Sequence, residues 1–202
     1  MHEVAAALLK QPLIILRDID VRYTGITGQK RLVTLYNLRL KNQDNEHDIR
    51  GEAILHQDIS TEVNVVVRWQ GATLDLQAIN AKVYLAISGM SLAQWATGQA
   101  WKGWAIQKGF VTGKVWATWR RGSFQKIQST FELLDVDLSS ATNHSAQHIK
   151  RFSGDVGWKK EGGNQIIAGD DILIDWSSRL WPVTSFYLKL VPDQDQQLHP
   201  ST

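Results

Sequence analysis

Residues whose types and spacing could do chemistry fall into three groups. His144 and His148 stand four apart in "ATNHSAQHIK", a spacing that puts two imidazoles on one helical face for a metal such as zinc. The stretch from Ser139 to Lys150 is polar and shows no alternation, so it reads as an exposed, solvated loop with no third ligand in pattern. Asp170, Asp171 and Asp175 in "GDDILIDW" are the nearest approach to the paired carboxylates of glycoside hydrolysis. On a strand, Asp171 and Asp175 share a face with apolar Leu173 between them, which suits solvent-facing acids that discourage wrong edge pairing. Asp18, Asp20, Asp135 and Asp137 read the same way. Trp101 and Trp104 in "AWKGWAIQKG" have the chemistry to stack on a sugar, yet such tryptophans more often close the end of a core with the indole N–H satisfied by backbone. No phosphate loop, nucleophile elbow, dinucleotide fingerprint or zinc-ligand spacing occurs. No enzyme, metal or cofactor is expected.

The elements that would position such residues are strands. Ile19, Val21 and Tyr23 alternate with Asp18, Asp20 and Arg22, the period of a half-buried strand. The same period runs through Val63, Val65, Val67 and Trp69, and through Val83, Leu85 and Ile87. It returns in Val115, Ala117 and Trp119, from Ile127 to Leu133, and in Val136 and Leu138. It ends with Ile172, Ile174 and Trp176, then Phe186, Leu188 and Leu190. Gly-containing turns, "WQGA", "RRGS" and "KEGGNQ", separate these runs as antiparallel hairpins require. "NQDNEHD" (Asn42 to Asp48) reads as a longer polar loop. Short helices are expected at Val4 to Lys10, stopped by Pro12, and over Met90 to Gln99, with Ser91 as N-cap and Gly98 at the end. The fold class is therefore all-β, a largely antiparallel curved sheet or groove-like sandwich with one or two short helices. No composition shift divides residues 1–202, which read as one β-rich segment.

Several strands are apolar on both faces. Trp116 and Trp119 point to opposite sides of one strand, and Val66 opposes Val65 and Val67. Either a second layer covers the back, or an exposed face meets something apolar. One phrase also recurs: "LRDIDVRY", "LYNLRLKN", "LLDVDLSS" and "GDDILIDW" each place Asp or Asn before apolar residues at every second position. An enzyme needs one unrepeated constellation, whereas a structural rail repeats its strands.

Composition agrees. The 202 residues are 43% hydrophobic and 21% charged, ordinary for a globular chain. A net charge of only +2, with Lys and Arg dispersed along the sequence, argues against a nucleic-acid surface. The absence of cysteine excludes disulfides and Cys-ligated zinc, and fits periplasm or cytosol equally. No apolar run approaches the ~20 residues of a membrane span. "MHEVAAALLKQP" reads as an initiator Met before an excised segment, so a fragment of something longer is expected.

The strand phrases, in their order, resemble the AsmA-like superfamily and particularly its YhdP-like branch. "LLKQPLIILRDIDVRY" is similar to its helix, proline, strand unit. "LYNLRLKN", "HDIRGEAIL", "VYLAISGMSLAQW", "GKVWATWRRGSFQKIQSTFELLDVDL" and "FSGDVGWKKEGGNQIIAGDDILIDW" followed by "WP" continue the match from Leu8 to about Pro192. The resemblance implies an internal segment of a long periplasmic protein, tethered to the inner membrane by a region outside this chain. It implies phospholipid transport between inner and outer membrane, with acyl chains sheltered in an apolar β-groove and no catalytic residues. The groove candidates are Ile19, Val21, Leu38, Leu40, Val115, Trp119, Val136, Leu138, Ile172 and Ile174, expected to form one contiguous apolar concavity. An isolated segment with open strand edges is also expected to self-associate. Two other readings stand beside this one. A carbohydrate- or protein-binding β-sandwich predicts an aromatic platform ringed by polar donors, and a structural spacer predicts neither feature.

Overall fold

Alternating side chains draw nearly the whole chain into strands. The structure, a computed structural model, describes residues 7–24, 30–56, 61–71, 75–96, 100–101, 103–140, 145–177 and 179–191. The strands are β1 (Leu13–Thr24), β2 (Lys30–Gln43), β3 (Glu46–His56), β4 (Thr61–Gln70), β5 (Asn80–Ser91), β6 (Ala100–Trp101), β7 (Trp104–Arg120), β8 (Ser123–Ser140), β9 (Ala146–Glu161), β10 (Asn164–Trp176), β11 (Arg179–Leu180) and β12 (Thr184–Leu190). They form one antiparallel sheet in the order β1-β2-β3-β4-β5-β7-β8-β9-β10. β11 and β12 both pair with β10, and β6 pairs with the start of β7. Each strand packs on its hydrogen-bonded neighbours, and a short helix, Leu92–Ala96, packs on β7. Among the described residues, no second sheet lies over the first.

Turn chemistry fixes the meander. Arg121 (φ 41) and Gly122 (φ 83) join β7 to β8, and Gly162 (φ 56) with Gly163 (φ 84) joins β9 to β10. Positive φ at both central residues is the two-residue turn whose twist matches that of the flanking strands. Three sequence expectations change here. Asn42 to Asp48 is no long loop: Gln43 pairs with Glu46 across a tight turn at Asp44 (φ 53) and Asn45. The excursion expected from Ser139 to Lys150 shrinks as well, because Ser139 pairs with Ala146 and residues 146–150 already belong to β9. Cross-strand hydrogen bonds there override a polar composition. The helix expected over Met90 to Gln99 starts only at Leu92, since Met90 and Ser91 still pair with Val111 and Phe110; it is described as far as Ala96, and residues 97–99 lie outside the described residues. Of the N-terminal helix, residues 7–10 are helical, and its first part lies outside the described residues.

The recurring Asp phrase has its own structural cause. Asp18 (φ 52), Asp135 (φ 49) and Asp171 (φ 52) adopt left-handed backbone inside a strand, as Gly89 (φ 66) does in β5. Asp is one of the few non-glycine residues that visit this conformation readily. Each lies at an irregularity of the sheet. The β1–β2 and β8–β9 ladders keep their register past Asp18 and Asp135, and the shift falls on the adjoining ladder, between Leu35 and Asn37 of β2 against β3 and between Lys108 and Phe110 of β7 against β8. The register shifts between Ile87 and Met90 and between Asp170 and Leu173. A bulge inserts one residue and changes the phase of alternation. Leu16 and Ile19, three apart, therefore lie on one face: they pair through Leu38 and Leu35 with Gly51 and Ala53, which are two apart. The bulges at Asp18, Gly89 and Asp171 fall on nearly one line across the sheet, concentrating its extra twist there.

Candidate functional site

Register builds the candidate site, because residues paired across an antiparallel ladder share a face. Ile14 pairs with Leu40, Leu40 with Ile49, Ile49 with Val67, and Val67 with Val83. Val83 pairs in turn with Ala117, Ala117 with Ile127, Ile127 with Trp158, Trp158 with Ile167, and Ile167 with Leu188. This row crosses ten strands with no polar side chain. At ~4.8 Å per strand it would run ~43 Å if flat. The next row passes from Leu16 through Leu38, Gly51, Val65, Leu85 and Val115 to Ser129, and on to Val156. Ser129 is its one polar member. A third passes from Ile19 through Leu35, Ala53, Val63 and Ile87 to Gly113 and Phe131. No charged residue enters any of the three.

All ten sequence candidates lie on this face. Leu40 is in the first row, Leu38 and Val115 in the second, and Ile19 in the third. Val21 follows Ile19 in β1, opposite Val33. Trp119 lies opposite Ala81, Leu138 opposite Ile106, Val136 opposite Ile149, and Ile174 opposite Phe152. Ile172 would meet a β-carbon placed on Gly154, which pairs with Phe131 of the third row. They share a face.

Three of them are covered by the chain itself. Leu40 and Trp119 pack against Trp69, Ile79 and Ala81, and Leu9 from the N-terminal turn packs on the same cluster. Asn42 fastens that turn by donating from Nδ2 to the carbonyls of Leu8 and Gln11, while its Oδ1 meets His47 Nδ1 at 2.7 Å. His47 is buried and stacks on Trp69 with ring centroids 4.7 Å apart. At the other end of the strands, Val136 is 4% exposed, because its chain lies on Gly109, where Leu92 of the short helix also packs. Between these two covered ends the middle rows have no layer above them among the described residues. The ten candidates omit the residues that make the first row continuous, Ile49, Val67, Val83, Ala117, Ile127, Trp158 and Ile167. The same alternation that marked the ten would have found them.

The opposite face carries a charged row beside one that includes Val66, Tyr84 and Trp116. Lys41, Asp48, Arg68, Lys82, Thr118, Lys126 and Lys159 occupy a single row. Asp48 bridges Arg50 at 2.8 Å and Arg68 at 2.6 Å. Burial alone would raise the Asp48 carboxyl, but the hydrogen bonds and charges of the two guanidinium groups outweigh it and hold the group below the usual carboxylate range.

The groups singled out for chemistry do not converge. His148 belongs to β9 rather than a loop, and its Nδ1 lies 2.6 Å from Asp137 Oδ1; His144 lies outside the described residues. Asp171 is a bulge residue, and Asp175 faces Lys150 at 3.7 Å. Trp104 is half-buried beside Ser140. No group of three or more His, Asp or Glu placed to hold a metal occurs among the described residues.

The class is a single-layer antiparallel meander with continuous apolar rows on one face and a row of charged residues on the other. The sequence profile of one family, described as YhdP protein, matches residues 2–201, and the chain belongs to that family. Comparison with curated proteins and with solved structures finds no match.

Proposed function

We propose that this sheet shelters the acyl chains of phospholipid on its apolar face, as a segment of a periplasmic bridge between inner and outer membrane. The observation that carries the reading is the unbroken apolar row from Ile14 to Leu188, with the two rows beside it that have no layer above them among the described residues. Each methylene kept from water is favoured by ~0.8 kcal/mol, so a lipid leaving a bilayer needs continuous cover. One acyl chain spans about half of a ~30 Å hydrocarbon core, well within the row. Strand-by-strand repetition supplies that cover without specificity for any one atom. The process is passive: no bond is made or broken, no cofactor takes part, and the tether to the inner membrane lies outside this chain. The charged rows on the other face remain in water.

The test is native mass spectrometry of the purified chain after incubation with phosphatidylethanolamine and phosphatidylglycerol vesicles. Phospholipid carried in a fixed ratio, and lost in Leu85→Asp but kept in Asn64→Asp on the polar face, is the expected result. A wild-type chain that takes up no phospholipid overturns the reading.

A further inference from the structure

The polar face holds a second feature that lipid shelter does not use. Its register sets like charges directly opposite one another: Arg39 against Arg50, Arg68 against Lys82, and Lys126 against Lys159. Such pairs are destabilising in a sheet. Only Asp48 intervenes between Arg50 and Arg68, and Lys82 and Lys126 have no ion-pair partner among the described residues. Cations dispersed in the sequence are thus gathered into one band by the strand register.

The band surrounds a concavity. A cavity of about 1110 Å³ is lined by seven Arg and Lys side chains against two acids, Glu46 and Asp48. It shares Arg68, Lys82 and Thr118 with a neighbouring cavity of about 500 Å³ whose wall includes Tyr84, Trp116, Lys126 and Gln128. Trp116 is 43% exposed although it stands mid-sheet, tilted at 45° to Tyr84 with ring centroids 5.5 Å apart. A large indole left open between cations, with neutral donors at Thr118 and Gln128, is a stacking surface for the C–H face of a sugar ring that bears acid groups.

We infer that this trough binds an anionic glycan, with a pyranose face on Trp116 and its carboxylates or phosphates on Arg68, Lys82 and Lys126. A single aromatic pair does not make the succession of platforms that single-stranded nucleic acid uses. A recessed trough suits a chain better than a flat bilayer. The inference concerns the face opposite the apolar rows, so it stands or falls separately from lipid shelter. Because the free sheet bears like-charge pairs, a bound polyanion relieves them.

Isothermal titration of the full chain with oligogalacturonate, at two salt concentrations, tests this. Binding that weakens with salt and falls at least tenfold in Trp116→Ala is expected. Lys82→Gln separates a site from a structural residue: it should raise the thermal midpoint of the free chain while lowering affinity. Maltooligosaccharide should not bind. Equal binding of the neutral oligosaccharide, tighter binding of a single-stranded oligonucleotide or of anionic phospholipid vesicles through Trp116, or unchanged affinity in both variants overturns the inference.

Discussion

Ile172 of β10 lies directly over Gly154 of β9. A β-carbon on Gly154 would stand 2.5 Å from Ile172 Cδ1 and 3.1 Å from its Cα, with the Asp170 carbonyl at 3.2 Å. Turning the Ile172 side chain relieves the first of these approaches but neither of the two to the backbone. Gly154→Ala should therefore destabilise the sheet by ~1–3 kcal/mol, as overpacking does. Ile172→Ala in the same chain should recover only part of the loss, because the β10 backbone stays equally close. Urea unfolding of the two single variants and the double variant measures this.

Asp135 makes the opposite prediction. Its φ of 49 is a conformation that glycine takes freely and a β-branched residue resists. Asp135→Gly should unfold at a urea midpoint close to wild type, whereas Asp135→Val should lose at least ~1–2 kcal/mol. Equal losses would mean that the side chain, and not the bulge, matters at this position.

Acid should weaken the Asp48 cluster. Burial pushes the folded-state pKa of Asp48 up, but hydrogen bonds and charge from Arg50 and Arg68 prevail and lower it. Its contribution is therefore complete above the unfolded value of ~3.9 and is lost as pH falls through the lower folded value. Exposed pairs of this kind contribute ~1 kcal/mol or less. The stability difference between wild type and Asp48→Asn should be constant from pH 5 to 7 and shrink below pH 4. A difference that grows in acid would contradict the assignment.

The sheet edges should associate. Every residue of β12 is exposed, Leu188 and Leu190 among them, and Leu13 and Ile15 are exposed on β1 at the other edge. Sedimentation velocity across the micromolar range should show concentration-dependent growth that Leu188→Lys reduces, since an edge lysine blocks strand addition. A monomer at every concentration would show that both edges are protected.

Most of the strands were legible because alternation at period two survives any sheet curvature. Trp116 and Trp119 do fall on opposite faces, and Val66 does oppose Val65 and Val67. The bulges were visible only as a repeated phrase. Leu16-Arg17-Asp18-Ile19, Ile87-Ser88-Gly89-Met90 and Leu133-Leu134-Asp135-Val136 all carry an apolar residue, a spacer, Asp or Gly, then a second apolar residue. Reading the two apolar positions as three apart on one face would have located each phase change. Reading the acids as solvent-facing guards missed it, because Asp serves there for its backbone freedom. The basic band was illegible for a different reason. Arg39, Arg50, Arg68, Lys82 and Lys126 are far apart in sequence and meet only through register. Register across a long sheet is a tertiary property that no local pattern encodes.

The central claim is that lipid occupies one face of the sheet. Strand β7 tests it residue by residue, because Val115 and Ala117 point to the apolar rows while Trp116 and Thr118 point to the polar face. A photo-crosslinking amino acid placed at each of these positions in turn, in the full-length protein in cells, should capture phospholipid with period two. The account predicts adducts at Val115 and Ala117 and none at Trp116 and Thr118. Adducts at all four positions, or only at Trp116 and Thr118, would contradict it.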